Sequence, residues 1–354
     1  MTDRPAPFPE SAPAADHPRH GEPTIEDVAA AAGVSIRTVS RVLNKSPKVN
    51  AQTRERIEAA IAALQFRPSL RARALAMGRS FLIGLIHNDR NALVLDSIQR
   101  GIVSVSSAHG YELIVHSTPR EGEAAIADTL AFAGRSRVDG LIVLPPISGV
   151  AGLAQALDAA KVPAVAVSAV PLDGFAGVVL SDERGAGAQV ARHLLGLGHR
   201  RLGLVNGPED MASARERRAG FLAEIATVPD ARVAEAAGDY GFAAGIAAAE
   251  ALLAAPDAPT AIFAANDIMA AGVLKVAARR GIAVPGQLSV VGFDGSMLAQ
   301  MVSPALTSVT RPFGAIAAAA TGDLIARIEG GSPPPPFHPE LMLTPAESSG
   351  PVPG

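Results

Sequence analysis

Apolar residues near the start of the chain, between positions 24 and 64, recur with the spacing of α-helices. A first helix is predicted by apolar residues at i, i+3, i+4 and i+7, which are Ile25, Val28, Ala29 and Ala32. Thr24 precedes Asp27 by three residues, as in a capping box, and Gly33 is a residue type that ends helices. The pattern therefore predicts a short capped helix followed by a turn.

Two further helices are predicted to follow this turn. Ser35 is a suitable N-cap for the second helix. One face of that helix is apolar, with Val39, Val42 and Leu43, and the other carries Ile36, Arg37, Ser40 and Arg41. A third helix opens at Asn50 and runs through Thr53, Ile57, Ile61 and Leu64. The first two helices form a helix-turn-helix, and the third completes a small core.

From residue 81 onward, short apolar runs alternate with amphipathic helical segments. The predicted strands are Phe81–Ile86, Glu112–Val115, Gly140–Leu144, Ala164–Val167, Arg201–Val205, Ala261–Ala264 and Leu288–Val291. Strands that alternate with helices form βαβ units with parallel sheets, and two such sheets give two lobes. The predicted fold class is α/β, with a helix-turn-helix head over residues 24–68, a linker over residues 69–80 and a two-lobed body over residues 81–343.

Composition limits the chemistry that these elements can carry. Of 354 residues, 48% are hydrophobic and none is cysteine, and the net charge is −3. The lack of cysteine excludes disulfides, thiol nucleophiles and thiolate metal sites, and fits a reducing, cytoplasmic location. The histidines are scattered, so we expect no metal site and no cofactor. No apolar run approaches the roughly 20 residues that span a bilayer, so we expect no membrane association.

Both ends of the chain have the composition of disordered segments. Residues 1–23 are rich in proline and alanine and contain no continuous apolar stretch, which predicts a disordered leader rather than a signal peptide. We also expect a disordered tail over residues 344–354. This tail has no leucine heptad, so a coiled coil that joins dimers into tetramers is not expected.

The outward face of the second helix suits DNA. The first turn of such a helix enters the major groove, where an arginine can donate two hydrogen bonds to guanine, and Arg37 and Arg41 share this face. Short side chains suited to phosphates or base edges are Ser35, Thr38, Ser40 and Asn44. The alternative is a solvated helix pair that happens to carry two arginines.

The linker that follows is basic. It carries Arg71, Arg73 and Arg79 without an acidic residue. Arginines spaced along a short helix can lie against minor-groove phosphates, and an exposed Leu75 is the type of wedge that kinks a duplex. The alternative is an ordinary basic linker in which Leu75 packs against the neighbouring domain.

These residues together resemble the lactose/galactose repressor (LacI/GalR) family. The resemblance is carried by the segments 25–29, 32–35, 38–44, 53–57 and 67–68. It implies that Ile36, Arg37 and Arg41 read bases, that Ser35, Thr38 and Asn44 hold the DNA backbone, and that Leu75 enters the minor groove. Ile25, Ser40 and Arg73 complete the set of expected DNA contacts. Ser69 departs from the family pattern, which usually has asparagine there.

Polar residues at strand ends are candidates for a ligand site in the body. Asn266 and Asp267 follow one predicted strand, Asp294 follows another, and Arg217 lies in the segment 213–220. Asp267 is equally well placed to cap a helix, and an isolated aspartate after a strand is often a turn residue.

The family resemblance assigns part of this set to the binding of an effector. It implies that Arg217, Asn266 and Asp294 bind effector hydroxyls or a carboxylate and that Tyr240 lies against the ligand. Val94 and Leu95 stand where relatives often have aromatic residues, which predicts an aliphatic wall, and Asp89 is expected to add a polar contact. Ser148 stands where some sugar-binding members have aspartate.

The resemblance implies a transcriptional repressor that binds a small polar effector, expected to be a sugar or a sugar derivative. One head offers few base contacts, so we expect a homodimer on a near-palindromic double-stranded operator. Glycine pairs at 185–187 and 196–198 lack the third glycine of a dinucleotide fingerprint, and the chain has neither a G-x-S-x-G nor a P-loop motif, so no enzyme is expected. The alternatives are a sugar-binding transport protein and an enzyme acting on sugars.

Overall fold

The computed structural model describes residues 23–43, 46, 48–66, 78–88, 91–119 and 122–352. The chain divides into two compact units, residues 1–79 and residues 80–354, which we call the head and the body. Residues 1–22 of the predicted leader and residues 69–77 of the predicted linker lie outside the described residues.

The head contains the three predicted helices, α1 (Ile25–Ala32), α2 (Ile36–Leu43) and α3 (Ala51–Ala63). The capping box predicted from Thr24 and Asp27 is confirmed, because each residue accepts a hydrogen bond from the other's backbone N–H. Gly33 ends α1 with a left-handed φ of 62°, and Asn50 caps α3 by accepting from Thr53 N at 2.8 Å. The buried core of this unit consists of Val28, Ala29, Ala32, Val39, Val42, Ile57, Ala60 and Phe66.

The first lobe of the body is built on a parallel five-stranded sheet of order β2-β1-β3-β4-β5. Its strands are β1 (Leu82–His87), β2 (Glu112–Ser117), β3 (Gly140–Val143), β4 (Ala164–Ser168) and β5 (Gly177–Leu180). The helices α4 (Ala92–His109), α5 (Gly122–Ser136) and α6 (Leu153–Ala159) connect the strands, and Ile147–Gly149 forms a short 3₁₀ helix. Apolar side chains of the sheet and its helices form two buried clusters.

The second lobe is built on a six-stranded sheet of order β11-β10-β9-β8-β6-β7. Its strands are β6 (Arg201–Val205), β7 (Arg232–Ala236), β8 (Ala261–Ala264), β9 (Ser289–Asp294), β10 (Thr307–Thr310) and β11 (Met342–Thr344). Its helices are α7 (Glu183–Gly196), α8 (Ala212–Ile225), α9 (Phe242–Leu252), α10 (Asp267–Arg279) and α11 (Met297–Met301). Only the β10–β11 pair in this sheet is antiparallel.

The chain crosses between the lobes three times. It passes from β5 to α7 at residues 180–183 and from β10 to α12 (Phe313–Glu329) at residues 310–313. Helix α12 packs in the first lobe, where Ile316, Ala317 and Leu324 join the buried cluster of β1, β3 and β4. The chain then returns to the second lobe at β11. These crossings are the covalent connections about which the two lobes can move relative to each other.

The tail predicted to be disordered is ordered up to residue 352, which corrects that prediction. Ser348 is fully buried, donates from Oγ to the Val290 carbonyl at 2.6 Å, and its own carbonyl accepts from Val290 N at 2.8 Å. Val352 N donates to the Leu197 carbonyl at 2.9 Å. Small, polar residues predicted disorder, but their backbones satisfy hydrogen-bonding groups of the second lobe. Residues 353–354 lie outside the described residues.

Candidate functional site

The outer face of α2 in the head carries the side chains predicted to read DNA. Val39 and Val42 are buried in the head core, whereas Arg37 and Arg41 are exposed and Ile36 is 45% exposed. Ser35 accepts a hydrogen bond from Thr38 N at 3.3 Å at the start of the helix. An exposed apolar side chain beside two exposed arginines gives α2 an outer surface suited to the base edges of a major groove.

The other predicted DNA contacts are less exposed or are not described. Ile25 is half-buried against the head core, and Ser40 and Thr38 are also half-buried. Asn44, Arg73 and Leu75 lie outside the described residues.

The body contains a cleft of about 340 Å³ lined by residues from both lobes. Four of the predicted residues line it from the second lobe: Arg217 from within α8, Tyr240 after β7, Asn266 after β8 and Asp294 at the end of β9. Val94 lines it from the first lobe. Ligands of open α/β sheets bind at this end of the strands, and the volume is within the range of small-molecule sites. The structure thus brings five of the predicted effector residues to one cleft.

Three residues of the predicted effector set are not placed in this cleft. Leu95 packs against the first-lobe core, and Ser148 is buried with its hydroxyl donating to the Val167 carbonyl at 2.8 Å. Asp89 lies outside the described residues. Ser148 is turned inward because the 3₁₀ helix that carries it packs against β4, with Ile147 also buried.

Arg217 is the best-connected charged residue of the cleft. Only 3% of its side chain is exposed; its Nε donates to Glu183 at 2.7 Å, and its Nη1 donates to the Ala265 carbonyl. The guanidinium lies 3.7 Å from the centroid of the Phe293 ring, and Nη2 lies 3.9 Å from the Asp294 carboxylate. Burial by itself lowers the pKa of Arg217, but the raising effects of its neighbours, led by the charge of Glu183 and including that of Asp294, together outweigh it, so the pKa is raised and the side chain stays cationic.

Glu183 links Arg217 to both of the crossings that flank the cleft. It is fully buried at the start of α7, directly after the first crossing, and accepts from Ser181 Oγ at 2.8 Å. Arg311 of the second crossing lies 3.2 Å from the same carboxylate. Burial by itself raises the pKa of Glu183, but the charges of Arg217 and Arg311 outweigh it and lower the pKa. The carboxylate is therefore ionised and shared by two arginines.

Sequence reasoning missed Glu183 and Arg311. Glu183 begins a helix within the segment Asp182-Glu183-Arg184, where a charged residue is ordinarily exposed, and Arg311 follows a short polar strand that was not predicted. No periodicity marks either residue. Only the meeting of the two crossings buries them.

Asn266 and Tyr240 are fixed by each other and by local backbone. The Asn266 Oδ1 accepts from Met269 N at 2.8 Å and so caps α10, and its Nδ2 donates to the Tyr240 carbonyl at 3.0 Å. Tyr240 has a left-handed φ of 67°, and its hydroxyl lies 3.4 Å from Ser213 Oγ. Burial raises the pKa of Tyr240, so its hydroxyl remains protonated at neutral pH and can donate.

Asp267 was expected either to contact a ligand or to cap a helix, and it does not cap α10. Asn266, not Asp267, caps the helix. Asp267 is fully buried and accepts from Ser308 Oγ at 2.6 Å and from Ser296 N at 2.8 Å. Burial raises the pKa of Asp267, although these hydrogen bonds oppose the rise. Asp267 thereby anchors the turn that follows Asp294, which itself has a positive φ of 110°.

Within the described ranges, no group of three or more histidine, aspartate or glutamate side chains is arranged to hold a metal ion. The arrangement in the cleft is that of a binding site, in which buried donors and acceptors converge on a cavity with apolar walls.

Among the described residues, we find no helix with the length and apolar character needed to cross a membrane.

Comparison with known proteins finds a matching family for the head and another for the body. A family model described as bacterial regulatory proteins, lacI family, matches residues 24–69, and a periplasmic binding protein-like domain matches residues 191–348. The ribose operon repressor of Escherichia coli strain K12 is 31% identical over 326 residues, which cover 91% of this chain and 97% of that repressor.

Solved structures of transcriptional regulators match nearly the whole chain. The lac repressor dimer bound to operator and the anti-inducer ONPF has a TM-score of 0.78 at 29% identity, covering 93% of this chain and 100% of that chain. The complex of the transcriptional regulator CelR with cellobiose has a TM-score of 0.68 at 30% identity, covering 92% and 99%. The chain belongs to the lacI family of bacterial regulatory proteins.

Proposed function

We propose that this chain is a transcriptional repressor that binds a near-palindromic DNA operator as a homodimer and responds to a small polar effector in the cleft of the body. The observation that carries the proposal is the presence, on one chain, of an exposed recognition helix and a cleft with a buried, fixed arginine. Neither a transport protein nor a sugar-metabolising enzyme needs an exposed recognition helix.

The head supplies the contacts to DNA. We infer that Arg37 and Arg41 donate to base edges in the major groove, that Ile36 lies against base methyl groups, and that Ser35 and Thr38 contact phosphates. A single α2 reaches only a few base pairs, so two heads related by a two-fold axis are needed for a site of useful length. Asn44, Arg73 and Leu75 complete the proposed DNA contacts.

The body supplies the response. We infer that Arg217, Asp294, Asn266 and Tyr240 bind hydroxyl groups of the effector, with Val94 on the opposite wall. The names of the relatives include a ribose operon repressor and a regulator in complex with cellobiose, which supports a carbohydrate or a close derivative. The lac repressor structure is a dimer on its operator, which supports the same assembly here. The proposal includes no catalytic step, and it requires the chain to act in the cytoplasm, where the operator lies.

The buried cluster around Glu183 offers a route from effector to DNA. An effector that engages Arg217 also acts on Glu183, Ser181 and Arg311, which lie at two of the three crossings between the lobes. A change in lobe angle then biases operator affinity, by a coupling free energy of about 1 to 3 kcal/mol in typical cases.

Selection from a random DNA library by the purified full-length protein tests the proposal. We expect enrichment of a two-fold symmetric site, and loss or gain of affinity for that site when a carbohydrate that raises the protein's Tm is added. Binding of all sequences with equal affinity, with and without such carbohydrates, would disprove the repressor assignment.

A further inference from the structure

The chain enters the body through a turn with an unusual backbone conformation. Phe81, the residue directly before β1, has a left-handed φ of 58°, although only 2% of the residue is exposed. A bulky residue rarely adopts this conformation, because its Cβ crowds the following carbonyl oxygen. Such a conformation persists only where surrounding contacts hold it. The contacts of Phe81 therefore determine the course of the backbone at this point.

Asp139 supplies hydrogen bonds that hold this turn. Its Oδ1 accepts from Ser80 N at 2.9 Å, and its Oδ2 accepts from Phe81 N at 2.7 Å. The N–H of Asp139 in turn donates to the Leu82 carbonyl at 2.8 Å. Because an ionised carboxylate has two accepting oxygens, one side chain fixes two successive N–H groups. We call residues 80–82 the linker junction, since the predicted linker ends at Ser80.

The rest of the linker junction is fixed by the first-lobe sheet. The centroids of the Phe81 and Tyr111 rings lie 5.3 Å apart, and both rings belong to a buried cluster of this lobe. The Phe81 carbonyl accepts from Glu112 N at 2.9 Å, at the start of β2. The ring and the carbonyl of Phe81 are thus attached to the body, whereas the two N–H groups nearest the linker are held by the Asp139 carboxylate.

The two strands that meet at the linker junction also reach the effector cleft. β1 begins directly after Phe81 and β3 directly after Asp139, and the two strands are parallel neighbours. Beyond their carboxyl ends, Asn88 and Leu144 line the cleft. Both strands are buried over most of their length, and closely packed interiors transmit displacements. A movement of this wall of the cleft is therefore passed to the linker junction through two short strands.

We infer that Asp139 is a positioning residue for operator binding, because it holds Ser80 and Phe81 in one conformation and so fixes how the linker leaves the body. The inference rests on the proposed function, since it concerns how the body controls the DNA-binding head. A junction that is already ordered loses less conformational entropy when two heads bind one operator. Without the carboxylate, Phe81 can leave the left-handed conformation, and the junction must then be ordered on binding.

Asp139→Asn in the full-length protein tests this inference. The amide keeps the size of the side chain but places an NH₂ group where one of the two N–H groups needs an acceptor. The amide hydrogens of Ser80 and Phe81 should exchange with solvent at least about tenfold faster than in the wild type. The Kd for the operator selected from the random library should rise at least about tenfold, which corresponds to about 1.4 kcal/mol. The Kd for random DNA should stay within about twofold, because the head is unchanged.

Two controls separate positioning from a general loss of stability. Glu347→Gln changes another carboxylate that accepts from a backbone N–H, that of Ala305 at 2.8 Å in the second lobe. Ser348→Ala removes a buried hydroxyl and its hydrogen bond to the Val290 carbonyl. Both variants should leave the operator Kd within about twofold, at a temperature at which circular dichroism shows every variant to be folded.

A second variant of Asp139 covers the case in which Asp139→Asn does not fold. Asp139→Ser offers one hydroxyl oxygen to the two N–H groups, so we expect the same direction of change in amide exchange and in operator Kd.

The outcomes separate this inference from the proposed function. A wild type that selects an operator, together with an Asp139→Asn variant that binds it with the wild-type Kd, would overturn the inference and leave the proposed function intact. An equal loss of affinity in Ser348→Ala would also overturn it, because loss of stability would then explain the result. A wild type that selects no operator would overturn both. Weaker operator binding and faster amide exchange in Asp139→Asn alone would support the inference.

Discussion

At the scale of single residues, Arg41 carries a prediction about DNA specificity. Arg41 is exposed on α2, and an arginine in a major groove discriminates guanine through two hydrogen bonds. Arg41→Ala should cost about 1 to 3 kcal/mol of discrimination at one base pair in each half-site. The measurement is competition binding between the selected operator and its single-base variants.

The control for this experiment is Arg135→Ala, which removes an exposed arginine from α5 of the body. It should leave the ranking of operator variants unchanged. An equal loss of affinity for every sequence on Arg41→Ala would show that Arg41 contacts phosphate rather than a base.

Glu183 carries the second prediction at this scale, which concerns stability. Its carboxylate is fully buried between Arg217 and Arg311, and removal of one member of a buried ion pair typically costs about 3 to 5 kcal/mol. Glu183→Gln should lower the free energy of unfolding at pH 7 by that amount. Glu216→Gln is the matched control, because Glu216 lies 2.7 Å from Arg184 on the surface, and it should cost no more than about 1 kcal/mol.

The same group predicts the direction of a pH dependence. The folded-state pKa of Glu183 is lowered from an ordinary value of 4.5. Its contribution to stability is therefore fully present above pH 4.5 and is lost as the pH falls through the lower folded-state pKa. The difference in unfolding free energy between the wild type and Glu183→Gln should shrink on acidification. A difference that stays constant would contradict an ionised Glu183.

These residues also show what a single sequence can and cannot predict about a site. Arg37 and Arg41 follow from helical periodicity alone, because a short helix has only one side away from its core. Arg217 was predicted from its position in the segment 213–220 and from the family. Glu183 and the inward turn of Ser148 depend on segments distant in sequence that meet only in the folded body, so local patterns contain no signal for them.

At the scale of elements, the packing of α7 on α8 depends on two glycines. A Cβ at Gly187 would collide with the backbone carbonyl of Arg217, and one at Gly220 with that of Arg184. Because backbone atoms cannot rotate away, Gly187→Ala must push the helices apart, at a cost of about 1 to 3 kcal/mol or more. The shift would also move Arg217. The melting temperature and the affinity for the effector should therefore both decrease.

Gly134→Ala in α5 is the control for this prediction. Gly134 is helical and a Cβ there would have open space, so the substitution should stabilise the protein by about 0.5 to 1 kcal/mol. Equal effects of the two substitutions would show that α7 and α8 are not closely packed.

The segment after β11 carries a prediction because it corrects the expected disorder. Ser348 is buried; it bonds Val290 through both backbone and side chain, and Thr307 N donates to its Oγ at 2.8 Å. Ser348→Ala leaves the Thr307 N–H without this partner and should cost about 1 to 3 kcal/mol in chemical denaturation. Ser332→Ala, at an exposed serine, should stay within about 0.5 kcal/mol. A neutral Ser348→Ala would argue that this segment contributes nothing to stability.

The position of each strand in its sheet explains why some strands could be predicted from the sequence and others could not. The strands predicted from apolar runs, such as β6 and β8, are interior strands buried on both faces. The strands that were missed, β5, β7, β10 and β11, are edge strands or lie beside one. Arg232–Ala236 lies at the sheet edge, which permits its charged residues, and Thr307–Thr310 contains hydroxyl residues that are buried with hydrogen-bond partners such as Asp267 and Ser348. Both strands therefore lack the apolar pattern that predicts a strand.

At the scale of the whole molecule, the sequence predicted the division into a head and a two-lobed body because each has a separate apolar pattern. It did not predict that the second lobe would be completed by residues from the far end of the chain. β11 and the segment after β11 join this lobe only after α12 has returned to the first lobe. The chain thus passes back and forth between the lobes. No linker was predicted from the sequence at these passages.

The boundary between the two units leads to the last prediction, on a fragment that begins at Ser80. The buried clusters of the body consist of residues from Phe81 onward, and the N–H groups of Ser80 and Phe81 donate to Asp139 at 2.9 and 2.7 Å. A cut before Ser80 therefore removes no core residue and keeps this anchor. The fragment 80–354 should fold and unfold with a Tm close to that of the body's transition in the full chain, within about 2 °C, since a change of 1 kcal/mol shifts a domain larger than 150 residues by about 2 to 4 °C.

The same fragment should bind the selected operator no better than random DNA, because it lacks α2. Adding Asp139→Ala to it provides the matched destabilised control, since this change removes the acceptor of both N–H groups and should lower the Tm. If the unaltered fragment already unfolds at a much lower temperature than the full chain, residues before Ser80 contribute to the stability of the body. The two units would then have to be treated as one cooperative structure, and the effector response would pass through that shared stability as well as through the crossings near Glu183.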